Sequence, residues 1–451
     1  MRMLPLSRTN PRRDRRPRRE SGIVIVLVAV VMLGVVGAMA ALSIDVVTLY
    51  TARSEAQLAA DSAALAGARV LANSGMTSDN TGGLAATAEN QARAVATQVA
   101  ASNLVGGRAL NPAGALPCNP GQEICVGFID NVVTNPRVSV SVQRTDLPTF
   151  FARIWGRTAF TVGASALAEA YNPSGANKLG KPTIRVAPIC VKPWLLPNID
   201  PLNSSKSIFD AATGAISDPN LLGWKSSSPA TQLSVVCTNG DCSGTPLPTP
   251  TSWKYYPGDT ATGKTFAHPL HSLPTCNPVL TPYQESVAAC IQTPISCKSP
   301  PASLAQIDTS NYFSRDAETA VAVNCLAHTG NNKGDIVDAP FPPASPFEFI
   351  VGADNPVAVV NPGLVGKEVM TSDSLVTVPV YDSSTGSAPG STVTIIGFVQ
   401  LFLNPDGNAT PASGLVNTTV VNIVGCGNNS SNAPPILGNG ASPVAVRLVS
   451  P

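Results

Sequence analysis

Eight consecutive residues, Gly258-Asp259-Thr260-Ala261-Thr262-Gly263-Lys264-Thr265, match the phosphate-binding pattern GxxxxGK[ST]. That chemistry needs an apolar strand before the loop and a helix after it, whose first amides hold the phosphates. Here Pro257 precedes the pattern and Pro269 falls four residues after Thr265. A helix opening at Gly263 would break within two turns. The expectation is a polar turn and no bound nucleotide.

Metal chemistry has three starting points. His268, His271 and Cys276 have borderline zinc spacing, and Cys237 with Cys242 could complete a ligand set. Asn404, Asp406, Asn408 and Thr410 alternate as calcium oxygen ligands do. Asp382-Ser383-Ser384-Thr385-Gly386, after the apolar Val376–Tyr381, is similar to the DxSxS ion motif of von Willebrand A domains, with Gly386 in place of the second ligating Ser. Only 69 residues follow Asp382, too few for that domain. Each pattern also reads as an ordinary loop or a turn between strands, and no metal is expected. No HExxH, GxSxG or CxxC occurs, and the chain holds three His in 451 residues. A catalytic role is not expected, and no cofactor either.

Charge and hydropathy are more informative. Charged residues make up 13%, about half the usual ~25%. The formal net charge of +1 excludes a nucleic-acid partner bound through bulk charge. It hides an asymmetry, because residues 1–20 carry eight Arg against Asp14 and Glu20. Directly afterwards, Gly22 to Ile44 runs 23 residues without a charge, and Asp45 is the next one. As a helix this run measures about 34 Å, enough for a ~30 Å hydrocarbon core. The positive-inside rule puts the Arg-rich leader in the cytoplasm and residues 45–451 outside the membrane. The alternative is a cleaved signal peptide, with Ala38-Met39-Ala40 as its site and a secreted soluble hydrolase or binding module as its product. The apolar run is longer than a signal peptide needs, and helical sequence continues past Ala40.

From Ser43 to about Ala72 helix formers dominate, so one helix of about 50 residues is expected, half of it in lipid. Val47, Leu58, Leu65 and Ala72 fall close to one stripe. Between Ala56 and Ala72 eight residues are Ala. Such a face admits a close neighbour, either a second copy of the chain or its own domain.

These residues carry a family resemblance. Glu20-Ser21-Gly22, the apolar run, Asp45, Tyr50 and the block Ala59-Ala60-Asp61-Ser62-Ala63-Ala64-Leu65-Ala66-Gly67-Ala68 resemble the N-terminal module of TadG-like proteins of the tight-adherence system, which assembles Flp pili. The stretch Leu147-Pro148-Thr149-Phe150-Phe151-Ala152-Arg153-Ile154-Trp155-Gly156 is also similar. The resemblance implies a membrane-anchored assembly component whose partners are the bilayer, other pilus or secretion subunits and, through the Ala-rich helix, itself. A pilin would carry a Glu five residues into the apolar run, where this chain has Leu27.

The expected fold is α+β. A single transmembrane helix continues into a long exterior helix with a small sheet. A loop-rich, disulfide-containing section and a mainly antiparallel β C-terminal region follow. The boundaries are leader 1–21, span 22–44, helix-plus-sheet domain 45–171, linker 172–181, Pro/Cys-rich section 182–338 and β-rich region 339–451. Expected strands include Val138–Val142, Thr158–Ala170, Phe347–Val351, Val357–Val360, Leu375–Tyr381, Val393–Leu403 and Thr418–Val424. Leu84 to Ser102 reads as a second helix. All ten Cys are expected to pair outside the cytoplasm. Cys118 would pair with Cys125. Seven Cys (Cys190, Cys237, Cys242, Cys276, Cys290, Cys297 and Cys325) lie in the Pro-rich section, an odd number, so at least one must reach outside it, with Cys426 the natural candidate.

Overall fold

The computed structural model describes residues 21–79, 82–112, 121–129, 135–176, 183–201, 205–223, 230–235, 252–257, 266–267, 280–297, 316–327, 334–337, 349–369, 372–383, 394–404, 416–427, 433–438 and 442–449. Helix α1, Ser21–Asn73, is 53 residues long and so about 80 Å. From Gly22 to Ala40 it is exposed on all sides. It is the one helix among the described residues long and apolar enough to cross a membrane. Its second half is held in a domain. The helix stops at Asn73-Ser74-Gly75, where Ser74 Oγ donates to Leu71 O and Gly75 takes a left-handed φ of 73°.

Helix α2, Ala85–Ser102, buries Ala88, Ala92, Ala96 and Ala100 at a spacing of four, one face of a helix. That face meets α1 and a sheet of four antiparallel strands. Three of these are β1 (Ile124–Ile129), β2 (Arg137–Pro148) and β3 (Ala159–Tyr171). β2 buries Val138, Val140, Val142 and Arg144 in alternation, the period of a half-buried strand, and a register shift after Arg144 brings Leu147 inward. The fourth strand comes from far along the chain: Ala445–Val449 pairs antiparallel with β3, Ala445 opposite Tyr171 and Val449 opposite Leu167. Glu169 is buried beneath this seam and accepts from Arg447, 2.6 Å from Nε, with Arg137 at 3.4 Å on its other side.

The second body is a closed six-stranded barrel. Trp194–Pro197 (β4), Ala230–Val235 (β5) and Ser252–Pro257 (β6) come from the Pro-rich section, and Leu375–Tyr381 (β7), Ile395–Leu403 (β8) and Val416–Gly425 (β9) from the C-terminal region. The run β7-β8-β9-β5 is antiparallel, whereas β5–β6 and β4–β7 pair parallel. β7 and β8 are buried along their whole length, so their outward-facing residues are covered as well as those that line the barrel interior. The final strand is therefore β10, Ala445–Val449.

The expected loop-rich section thus shares the barrel's core: Trp194, Leu195 and Leu196 are all fully buried. A four-residue strand is too short to show a period, which is why it reads as loop in the sequence. The segment expected as strand Val357–Val360 is instead the helix Pro356–Val360, with Asn355 Oδ1 accepting from Val357 N and Pro at the first turn. β-branched residues favour a strand, but the capping Asn and Pro decide this segment. Two disulfides tie the barrel together, Cys190–Cys290 and Cys297–Cys426. Cys125 and Cys325 are also disulfide-bonded.

The two bodies are joined by buried polar groups. Asn422 Nδ2 donates to Ala72 O and to Gln400 Oε1, both at 2.6 Å. Ser78 Oγ donates to Ile423 O at 2.9 Å and lies 2.8 Å from Ile423 N. Asn172 Nδ2 donates to Thr77 O and Ile423 O. Residues 73–79, polar in sequence, thus form a buried joint.

Candidate functional site

The residues singled out by the family resemblance gather along α1. Asp45, the first charge after the apolar run, is buried and accepts four backbone contacts from one loop. Phe150 N and Phe151 N reach Oδ1 at 2.9 and 3.4 Å, and Phe151 N and Ala152 N reach Oδ2 at 3.1 and 2.7 Å. Burial opposes ionisation of this carboxyl, but the N–H groups of Phe150, Ala152 and Phe151 outweigh it and hold its pKa below the ordinary value. Ala152–Trp155 is a short 3-10 helix, so Asp45 satisfies amides at its start. The juxtamembrane Asp and the Phe-Phe-Ala stretch, both read from the sequence, are thus one contact.

Two turns on, Ala52, Ala56, Ala59, Ala60, Ala63, Ala64 and Ala68 form the buried face of α1. Of the stripe Val47, Leu58, Leu65 and Ala72, Val47 and Leu58 are each 63% exposed, Leu65 is half-buried and Ala72 is buried, and the larger residues that α1 does bury, Val70 and Leu71, lie in its last turn. The first part of the stripe is therefore not the core face, because the facing α2 is also Ala-rich and the two backbones approach too closely for larger side chains. Gly67 shows the limit. A Cβ there would lie 3.1 Å from Val138 Cγ1 and 3.3 Å from Ala96 Cβ. The Ala-rich face expected to serve self-association or the chain's own domain is occupied by that domain. Asp61 is half-buried and accepts from Gln57 Nε2 at 2.8 Å, while Tyr50 is 78% exposed on the outer side.

Glu55, which the sequence did not flag, accepts Gly106 N at 2.6 Å and pins the turn after α2. Arg144 crosses the same turn, donating to Val105 O and Gly106 O, with Asp146 at 2.8 Å. The positive φ of Gly106 (59°) leaves no room for a side chain beside Leu147 and Arg144. A Gly-Gly pair between a helix signal and a strand signal was the available clue.

None of the chemistry-bearing patterns forms a site among the described residues. Residues 258–265, His268, His271, Cys276, Cys237, Cys242, Cys118, Asp406, Asn408 and Thr410 lie outside them. The chain after the GxxxxGK[ST] pattern is strand, Phe266–Ala267 paired with Cys290–Ile291, where a phosphate loop requires a helix. Asn404 is hydrogen-bonded across strands to Thr419 Oγ1 at 3.2 Å. Asp382 N donates to Thr394 O at the end of the β7–β8 hairpin, in a barrel rather than an α/β domain. No group of three His, Cys, Asp or Glu among the described residues could hold a metal ion.

Two buried charges were not legible in sequence. Lys192 is buried with Nζ donating to Ala289 O at 2.9 Å, and burial pushes its ammonium down to about 7, partly opposed by the Asp373 carboxylate. Asp335 accepts from Gly352 N, Asn355 Nδ2 and Ser372 Oγ at 2.8, 2.7 and 2.5 Å, joining three segments beside the barrel. Both hold loops together.

The arrangement is a long apolar rod clamped at its exit by Asp45 and packed through alanines into a rigid two-body domain. No curated protein or solved structure matches the chain. Residues 22–70, from the start of the apolar run through Val70, match the family model described as Flp pilus-assembly TadE/G-like, so that this module is similar to TadE/G-like proteins.

Proposed function

We propose that the protein is a membrane-anchored, non-catalytic component that assembles or supports a Tad-type Flp pilus or a related secretion apparatus. One observation carries this reading: the family match and α1 coincide, so the matched module is a single helix running from the apolar segment into the folded domain. Such a rod transmits force between bilayer and domain without a flexible joint. The Arg-rich leader supports an N-terminus in the cytoplasm and a domain on the far side of the inner membrane. The four described disulfide-bonded cysteines of the barrel's two bridges fit that oxidising side. The continuity of α1 across Ala40 supports a retained anchor over cleavage there.

Partners are other pilus or secretion subunits. Because the Ala face is filled within the chain, contact between copies falls to the outer side of α1, where Val47, Tyr50 and Leu58 are exposed. Deletion of the gene tests the reading. Loss of Flp pili in electron micrographs, restored by the full chain but not by residues 45–451 behind a cleavable signal, is expected. Normal piliation in the deletion strain overturns it.

A further inference from the structure

The apolar segment of α1 has one buried side chain. From Gly22 to Ile44 every residue is exposed except Ala41, which is 6% exposed. Ala41 stands one turn before Asp45 on the same face, about 6 Å nearer the middle of the segment. The helix's own neighbours on that face, Gly37 and Asp45, cannot cover it. Another part of the chain must therefore descend at least one turn below the charged end of the segment.

The chain tied to that end is the loop Pro148–Arg157. Asp45 holds it by Phe150, Phe151 and Ala152, and Thr149 Oγ1 donates to Arg157 O at 2.6 Å to close its base. Gly156, at φ 79°, ends the short 3-10 turn and bends the chain back toward β3. Phe150 stands at the tip, 60% exposed. Arg153 and Arg157, three and seven residues further along the same loop, are exposed, and neither has an ion-pair partner among the described residues. An exposed aromatic ring and two unpaired guanidinium groups on one loop, level with the last turn of a membrane segment, have the composition of an interfacial contact.

We propose that this loop is a second membrane contact, in which Phe150 enters the headgroup and acyl boundary of the bilayer and Arg153 and Arg157 meet the lipid phosphates. The proposal rests on the reading that residues 22–44 span that bilayer. The occupant follows from continuity: the lipid surrounding Ile44 and Leu42 is the medium nearest to Phe150. Interfacial elements enter by about 5–10 Å, which contains the depth set by Ala41. The loop would then fix the tilt and rotation of α1, since a rod held at one point can swing and a rod held at two cannot.

The test uses the full chain in vesicles of phosphatidylcholine and phosphatidylglycerol. Phe150→Trp is made in a Trp155→Phe background, and the emission of Trp155→Phe alone is subtracted. The remaining indole emission should be blue-shifted, quenched at least twofold by lipids brominated in the upper acyl chain and little affected by aqueous acrylamide. Brominated phosphatidylglycerol should quench more than brominated phosphatidylcholine, and Arg153→Gln with Arg157→Gln should erase that difference. An indole quenched by acrylamide and not by bromolipid, in a chain that resists alkaline carbonate extraction, overturns the loop contact and leaves the span standing, as a protein-docking tip would. A chain washed off the vesicles by carbonate overturns both. Equal quenching by the two lipids with the arginines present overturns their role.

Discussion

Asp45 Oδ2 accepts the backbone N–H of Ala152 at 2.7 Å, joining the mouth of the apolar segment to a residue 107 positions later. With Phe150 and Phe151 on the same carboxylate, the exit angle of α1 is set by a backbone clamp that any residue except proline would allow at those three positions.

Replacing Asp45 by Ala should free the loop without unfolding the sheet. Chymotrypsin should then cut after Phe150 or Phe151 several-fold faster than in the unaltered protein, read by mass spectrometry of the fragments. Because the carboxyl is held below its ordinary value of 3.8, the clamp's contribution is complete above that pH and fades only as pH falls through the lower folded value. Cleavage rates between pH 5 and pH 8 should therefore be flat apart from the protease's own profile.

Lys192 gives a slope of the same sign in a more alkaline range. Its ammonium is lowered from 10.5 to about 7, so between these values the unfolded chain binds more protons than the folded one. Stability should rise as pH is raised from about 7 towards 10, and level off below 7. Lys192→Met should flatten this part of the profile, measured as Tm against pH by calorimetry. A Tm that falls over the same range in the unaltered protein, but not in the variant, would contradict the assignment.

Gly67→Val should destabilise by about 1–3 kcal/mol through overpacking against Val138 and Ala96. Urea midpoints of the detergent-solubilised protein give the value. Gly67→Ala needs a shift of only a few tenths of an ångström and should lose much less.

Removing the Cys297–Cys426 bridge by paired Ser substitutions should lower stability by roughly 2–5 kcal/mol, since it closes a separation of 129 residues. Differential scanning calorimetry with and without reductant provides the comparison. In the Ser variant, reductant should have a smaller effect than in the unaltered chain.

The extent of α1 was legible because 23 uncharged residues and an Ala-rich continuation leave few alternatives. β8 and β9 were legible to within two residues, since long β-branched runs between turn residues have one reading. β4 was not, because so short a strand carries no period, and its burial depends on β7, which lies far later in the chain. The pairing of Asp45 with Phe150–Ala152 was half legible: both segments stood out by resemblance, but backbone amides leave no trace in side-chain identity. Lys192 and Asp335 left no trace either. A buried ionisable group is set by what folds over it, here Ala289 and the segment Gly352–Asn355.

The strand Ala445–Val449 completes a sheet begun by residue 124. The edge of β3 between Leu167 and Tyr171 stays unpaired until Ala445–Val449 has arrived. During synthesis, then, the N-terminal unit must wait with an open strand while about 270 further residues are made. An open edge of that kind can pair with any extended chain nearby, so the growing polypeptide is exposed to wrong pairing at residues 167–171 until its own last strand arrives.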